Sequence, residues 1–130
     1  MFIKYSVMVE HFAEHHFIKK FKKKYKKNWD ATWQAINEEL KRIDSLFATS
    51  IVEEIIKTKN IRIVKTEFRV VGTKQSRKDS GNRCIIAIQE DIKTVYVLLV
   101  YHKNDLGNGK ETAKWKQIIK ENYNEYKDLL

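Results

Sequence analysis

The residues best suited to chemistry fall into two short stretches. In "GTKQSRKDSGNR", residues 72–83, Lys74, Arg77, Lys78 and Arg83 are bracketed by Gly72 and Gly81, in a chain with four glycines and no proline. Such cations suit phosphate oxygens: arginine holds two in its planar fork and stays charged, while lysine supplies a mobile point charge. The glycines give the loop its freedom. The stretch is equally compatible with a solvated connection, because charge runs usually sit on open surface. The second stretch, "TVYVLLVYH" at 94–102, ends in Tyr101 and His102 and is followed by Lys103. Histidine titrates near neutrality, which suits proton transfer. Tyr101 either stacks on a base or packs in a sheet. Lys103 faces away from His102 for as long as the strand continues.

The elements that must position these side chains are legible from periodicity. "FIKYSVMV" (2–9) alternates well enough for a first strand. Phe17, Phe21, Tyr25 and Trp29 follow at steps of four, one apolar helix stripe, with seven lysines between residues 19 and 27 on the other faces. From Trp29 the pattern runs through Trp33, Ile36, Leu40, Ile43 and Phe47, a seam for packing on another element. A reversal near 26–30, capped by Asn28 or Asp30, gives two helices; one continuous helix is the competing reading. In "SIVEEIIK", Ser50 and Glu53 have capping-box spacing, which predicts a short third helix. Asn60 marks a turn, and three strands follow, in 64–70, 83–89 and 94–102. Short turns between them make an antiparallel meander, with helices over one face. Asn108 and Glu111 are positioned to cap a final helix bearing Trp115, Ile118, Ile119, Tyr123 and Tyr126.

At 130 residues, with 42% hydrophobic and 33% charged residues, this is one globular domain. No apolar run approaches the roughly 20 residues of a membrane span, the N-terminus does not read as a signal peptide, and the lone Cys84 fits a reducing cytoplasm. A net charge of +9 favours an anionic partner, nucleic acid first. His11 and His15 stand one helical turn apart beside Glu14 and His16, but no third ligand group or HExxH base accompanies them, so no metal is expected. "GNGKET" lacks the spacing of a nucleotide loop, and no cofactor is expected.

Strand, helical pair and basic meander together resemble the RelE/ParE superfamily of bacterial toxin–antitoxin systems. The likeness is carried by "FRVVGTKQSRKDSGNRCIIAIQEDIKTVYVLLVYHKND" (68–105): a basic strand, a loop ending in "SGNR" (80–83), an apolar strand, a short turn, and a last strand ending in "YHKND" (101–105). The resemblance implies a single RelE-like α+β domain over 1–130. Its parts would be an antiparallel meander sheet with an N-terminal strand, a helical hairpin packed on one face, and a C-terminal helix. It also implies a toxin that cleaves messenger RNA in the ribosomal A site by metal-independent 2′-OH attack, and so inhibits translation. Arg83 matches the family's arginine at the start of the third strand, Lys103 falls where many relatives have arginine, and His102 lies where some carry a catalytic histidine. Those three are the catalytic candidates on this likeness. Lys74, Arg77, Lys78 and Tyr101 are the nucleic-acid-binding candidates; Arg83 paired with Glu90 or Asp105 on the surface is the plainer alternative. The implied partners are mRNA on the ribosome, ribosomal RNA as a further potential contact, and an acidic antitoxin covering the basic surface. The chain is longer than typical relatives at 48–62 and in the C-terminal helix. Tyr123 and Tyr126 occupy apolar helix positions and are not assigned the acid/base role some relatives give a C-terminal tyrosine. Two rivals share the fold: a ParE-like gyrase inhibitor without nuclease activity, and a non-catalytic RNA-binding protein.

Overall fold

The computed structural model describes residues 4–107 and 109–130. Strand β1 (Ser6–Val9) leads into helix α1, built from His11–Ala13, a wider π-helical turn Glu14–Ile18, and Lys19–Tyr25. Helix α2 (Lys27–Lys41) and the short α3 (Ile43–Leu46) follow, then β2 (Val52–Lys57) and β3 (Ile61–Phe68). A loop with one helical turn, α4 (Arg77–Ser80), leads to β4 (Asn82–Gln89), and β5 (Thr94–His102) completes the sheet. Helix α5 (Glu111–Asn122) and a final 3-10 segment (Asn124–Leu129) close the chain. The sheet order is β1-β5-β4-β3-β2, with β2 to β5 an antiparallel meander and β1 parallel to β5.

The two central strands are apolar nearly throughout because both faces of the sheet are covered. On one face α1 and α2 bury Phe21, Trp29, Ile36 and Leu40 against Val64, Phe68, Cys84, Ile86 and Val97. On the other, α5 and the C-terminal segment bury Trp115, Ile119, Tyr123 and Tyr126 against Ile63, Ile85, Leu99 and Tyr101. The expectation that helices cover one face is therefore met by the hairpin alone, since the C-terminal helix covers the other. Tyr123 and Tyr126 are structural, as their spacing predicts; the Tyr123 hydroxyl donates to the Leu98 carbonyl at 2.7 Å.

The segment 52–57 is a strand and not the short helix that Ser50 and Glu53 suggest. One turn of helix has little stability of its own. The β-branched Val52 and Ile56 instead pair along β3, with Ile55 at a register shift between them, and cover what would otherwise be an unpaired edge. The meander therefore has four strands rather than three. The aromatic stripe of α1 is also split. The π-helical turn displaces the helix phase, so Phe17 joins the α5-side cluster while Ile18 and Phe21 join the hairpin side.

The helical reversal falls at Lys26, with φ 51° and ψ −124°, and neither Asn28 nor Asp30 is the capping residue. Its conformation is one that glycine adopts readily and a residue with a Cβ does not. The proposed cap at Asn108 lies outside the described residues, while Glu111 is the first residue of α5. No helix among the described residues is long and apolar enough to cross a membrane.

Lys26→Gly is expected to stabilise the fold by about 1 kcal/mol, the relieved strain exceeding glycine's greater unfolded-state freedom. Urea denaturation would show it as a higher midpoint at unchanged slope. Cys84 is wholly buried, and burial pushes its thiol up to about 12. The native protein should therefore resist iodoacetamide at mildly alkaline pH and react once unfolded.

Candidate nucleic-acid interface

The loop between β3 and β4 is a built structure and not a slack connection. The Val71 amide donates to the Thr32 hydroxyl of α2 at 2.8 Å, which fixes the loop's start. Ser76 caps α4 by accepting from the Asp79 amide at 3.1 Å, and Gly81, at φ 76°, ends it in the left-handed conformation. Ser80 is buried, donates to the Phe68 carbonyl at 2.6 Å and accepts from the Asn82 amide at 3.0 Å. Arg77 is held by both carboxylate oxygens of Glu39 on α2, which raises its already high pKa. Of the loop's candidate cations, Lys74 and Lys78 are therefore exposed without an ion pair among the described residues, and Arg77 is committed to the scaffold.

Arg83 lies at the mouth of β4 and is only 7% exposed. Its guanidinium donates to the Asn82 carbonyl at 3.1 Å and the Lys78 carbonyl at 3.3 Å, so it fixes the loop from beneath. Its Nε lies 3.8 Å from Glu111 of α5 and has no hydrogen-bond partner among the described residues. Glu111 also accepts from the Tyr101 hydroxyl at 2.7 Å and lies 3.7 Å from the Lys65 ammonium, which in turn lies 3.6 Å from Glu53. Tyr101 is 1% exposed, and burial, then its bond to Glu111, pushes its pKa upward. Its ring packs in the core and presents no face to a base. The alternative pairing of Arg83 with Glu90 or Asp105 is not formed; Glu111 takes that place.

His102 stands on the other side of the sheet. It pairs in register with Asn82, whereas Tyr101 pairs with Arg83, so His102 and Asn82 face the hairpin while Arg83 and Tyr101 face α5. The His102 Nδ1 accepts from the Asn104 amide at 3.1 Å, which leaves the proton of the neutral ring on Nε2. A Cβ at position 81 would stand 2.6 Å from that Nε2, so the histidine lies over bare glycine backbone. The strand ends at His102. Lys103 opens an exposed 3-10 turn, its amide donating to the Gly81 carbonyl at 2.8 Å. The structure thus brings Arg83 together with Lys78, and His102 together with Gly81 and Asn82, but it does not bring Arg83 and His102 to one face.

One residue that sequence reading passes over is Glu67. It is the register partner of Arg83 across β3 and β4. Glu67 is half-buried and forms no ion pair or side-chain hydrogen bond among the described residues. It lines an open cleft of about 420 Å³ with Ser50, Ile51, Ser76, Arg77 and Lys78. The available signal was register: once β3 and β4 are hairpin neighbours, a carboxylate before the loop and an arginine after it fall opposite each other. A free carboxylate beside mobile cations is an arrangement able to take a proton and hold a phosphate. No three His, Cys, Asp or Glu side chains among the described residues are grouped to hold a metal ion.

The architecture matches that of a solved structure, the archaeal RelE–RelB complex from Pyrococcus horikoshii OT3, with a TM-score of 0.52 over 78% of this chain and 98% of that one. The fold is RelE-like. Sequence identity over the match is 11%, so the likeness resides in the arrangement of strands and helices. No family model matches the sequence, and no curated protein matches it either.

Gly81→Ala is expected to destabilise the protein by about 2 kcal/mol, through strain at a positive φ and a clash with the His102 ring. The double variant with His102→Ala should recover the steric part. Denaturation of the two single variants and the double variant measures that coupling.

Proposed function

We propose that the protein is the toxin of a toxin–antitoxin pair and a metal-independent endoribonuclease acting on messenger RNA in the ribosomal A site. The observation that carries this reading is the free Glu67 carboxylate in register with Arg83, at a cleft whose rim holds Lys78. In 2′-OH attack a base removes the hydroxyl proton, the oxygen closes on the adjacent phosphorus as the bond to the 5′-oxygen breaks, and the 5′-oxygen takes a proton from water, whose hydroxide is neutralised by the proton the base took up. Glu67 is the base in this scheme. Lys78 meets the phosphorane charge, while Arg83 holds the Lys78 backbone and adds its own positive charge from beneath. Lys74 contacts the neighbouring backbone, and Lys103 at the sheet end supports the same strand of RNA. His102, on the opposite face, does not take part in the proton transfer at Glu67. The ribosome would orient the message, which fits a cleft that is open rather than enclosed.

The RelE-like fold supports the toxin half of the proposal, and RelE in the matched structure is in complex with RelB. An acidic antitoxin is the partner expected for a chain of net charge +9.

The test is induction in bacteria at matched soluble expression, with primer extension on one reporter message. The unaltered protein should arrest growth and leave codon-positioned cuts. Glu67→Gln should reduce cutting by at least about a hundredfold, the usual scale for a lost general base. Arg83→Ala should also reduce it strongly, and His102→Ala should reduce it far less. Arrest without cuts would move the target to another molecule, gyrase among them. Unimpaired growth with intact message would overturn the toxin reading.

A further inference from the structure

The tip of the α1–α2 hairpin is a second feature that the cleavage scheme leaves unused. Residues 17–29, "FIKKFKKKYKKNW", contain seven lysines and no carboxylate. Lys22 reaches back to Glu14 at 2.6 Å. Lys19, Lys20, Lys23, Lys24, Lys26 and Lys27 are exposed and form no ion pair among the described residues. Three arrangements here cost stability. Lys19 and Lys23, like Lys20 and Lys24, stand four residues apart on α1, where like charges repel. Lys27 opens α2, the end of a helix at which the macrodipole disfavours a cation. Lys26 between them holds φ 51° and ψ −124°, a backbone that glycine adopts freely and lysine only under strain. Lys23 and Lys24 do complement the dipole at the end of α1, but that leaves Lys19, Lys20, Lys26 and Lys27 without a structural reason. Solubility needs lysine somewhere on the surface. It does not need lysine where glycine is the unstrained residue.

A polyanion would offset the repulsion and give the strained lysine a use. We infer that the hairpin tip docks on the phosphate backbone of double-stranded RNA. Other anionic partners fit less well. Ile18 and Phe21 on the apolar side of α1 are buried in the core, so the helix has no face to insert into a membrane. An acidic protein would seek an apolar anchor. The exposed large apolar side chains among the described residues are Met8, Val71 and Ile92, none of them on the hairpin. Single-stranded RNA would seek an aromatic face to stack on, and the Tyr25 ring already lies against Phe21 and beneath the Lys24 ammonium. Lysine charges on a rigid helix read phosphates without reading bases. The narrow major groove of A-form RNA brings phosphates of both strands within reach of one short stretch of lysines, whereas the wider groove of DNA sets them apart.

The tip adjoins the loop between β3 and β4. A Cβ on Gly72 would stand 3.4 Å from the Asn28 side-chain amide, so the loop that carries Lys74 begins beside the first turn of α2. The inference does not rest on cleavage, because a duplex held at the tip need not be cut.

Fluorescence anisotropy across a salt series tests it, with the full chain titrated into an RNA duplex, its separated strands and the DNA duplex of the same sequence. The RNA duplex should bind at least about fivefold more tightly than the strands or the DNA. Lys20→Ala, Lys23→Ala, Lys24→Ala and Lys27→Ala together keep α1 helical and should weaken duplex binding at least about tenfold. They should also flatten the slope of log affinity against log salt by about three to four. Lys57→Ala, Lys59→Ala, Lys120→Ala and Lys127→Ala remove the same charge elsewhere and should weaken it less than about threefold. Lys26→Gly should flatten the slope by about one while raising the urea midpoint. Misfolding does not produce a more stable protein that binds less well. Equal losses in the two quadruple variants would reduce the tip to ordinary net charge and overturn the inference. So would an unchanged slope in Lys26→Gly, or strands or DNA bound as tightly as the RNA duplex. Tighter binding to vesicles of phosphatidylcholine and phosphatidylserine, or to polyglutamate, would likewise move the tip to another partner. Selective duplex binding by a chain that neither arrests growth nor cuts message would uphold the tip and overturn the cleavage reading alone.

Discussion

Strands β4 and β5 are covered on both sides, so neighbouring residues along them, except Leu98 and Leu99 at a register shift, belong to different layers of the protein. This alternation governs everything at the end of the sheet. Asn82 and His102 look toward the lysine-rich hairpin, and Arg83 and Tyr101 look toward α5. A functional group placed on either strand is thereby committed to one of two environments. The hairpin side is walled by Tyr25 and exposed lysines, and the α5 side by Glu111 and Lys65. The two environments meet only around the edge where the strands stop.

Formal charge overstates the cationic surface, and the structure shows where the excess remains. Arg62 is absorbed by Glu54 and Glu90, Lys65 by Glu53 and Glu111, Arg77 by Glu39, and Lys22 by Glu14. Lys74, Lys78 and Lys103 on the loops, and Lys20 and Lys24 on α1, are exposed and form no ion pair among the described residues. They lie around the same end of the sheet as the cleft, while Lys57 and Lys59 at the β2–β3 turn and Lys120 and Lys127 near the C-terminus are likewise exposed and form no ion pair among the described residues.

Much of the fold is legible in the sequence because its signals are local and strong. The seam from Trp29 to Phe47 marks α2 and α3, the apolar run 94–102 marks a strand covered on both faces, and the order of elements suffices for a RelE-like α+β domain. What is not legible depends on context. The capping-box spacing of Ser50 and Glu53 is a local signal that loses to an available strand edge. The division of Phe17 from Phe21 depends on a π-helical turn that no residue type announces. At the site, the types Arg83, His102 and Lys78 were readable, but their faces were not. Register shifts at Leu98, so alternation counted along β5 from Val95 inverts before Tyr101. Glu67 acquires meaning only when β3 is laid beside β4.

The wide turn at Glu14–Ile18 has a consequence for how this domain tolerates change. An ordinary helix can shift its phase only by gaining or losing residues, and this one has an extra residue's worth of rotation built into its first half. Phe12 and Phe17 lock to one core and Phe21 to the other, so α1 works as a coupling between the layers on the two faces of the sheet. Trimming a single residue there would act as a rotation of everything upstream, swinging Phe12 away from Tyr123 while leaving composition and helicity almost unchanged. In lineages that share this architecture, substitution along α1 should thus be far more permissible than any change in its length.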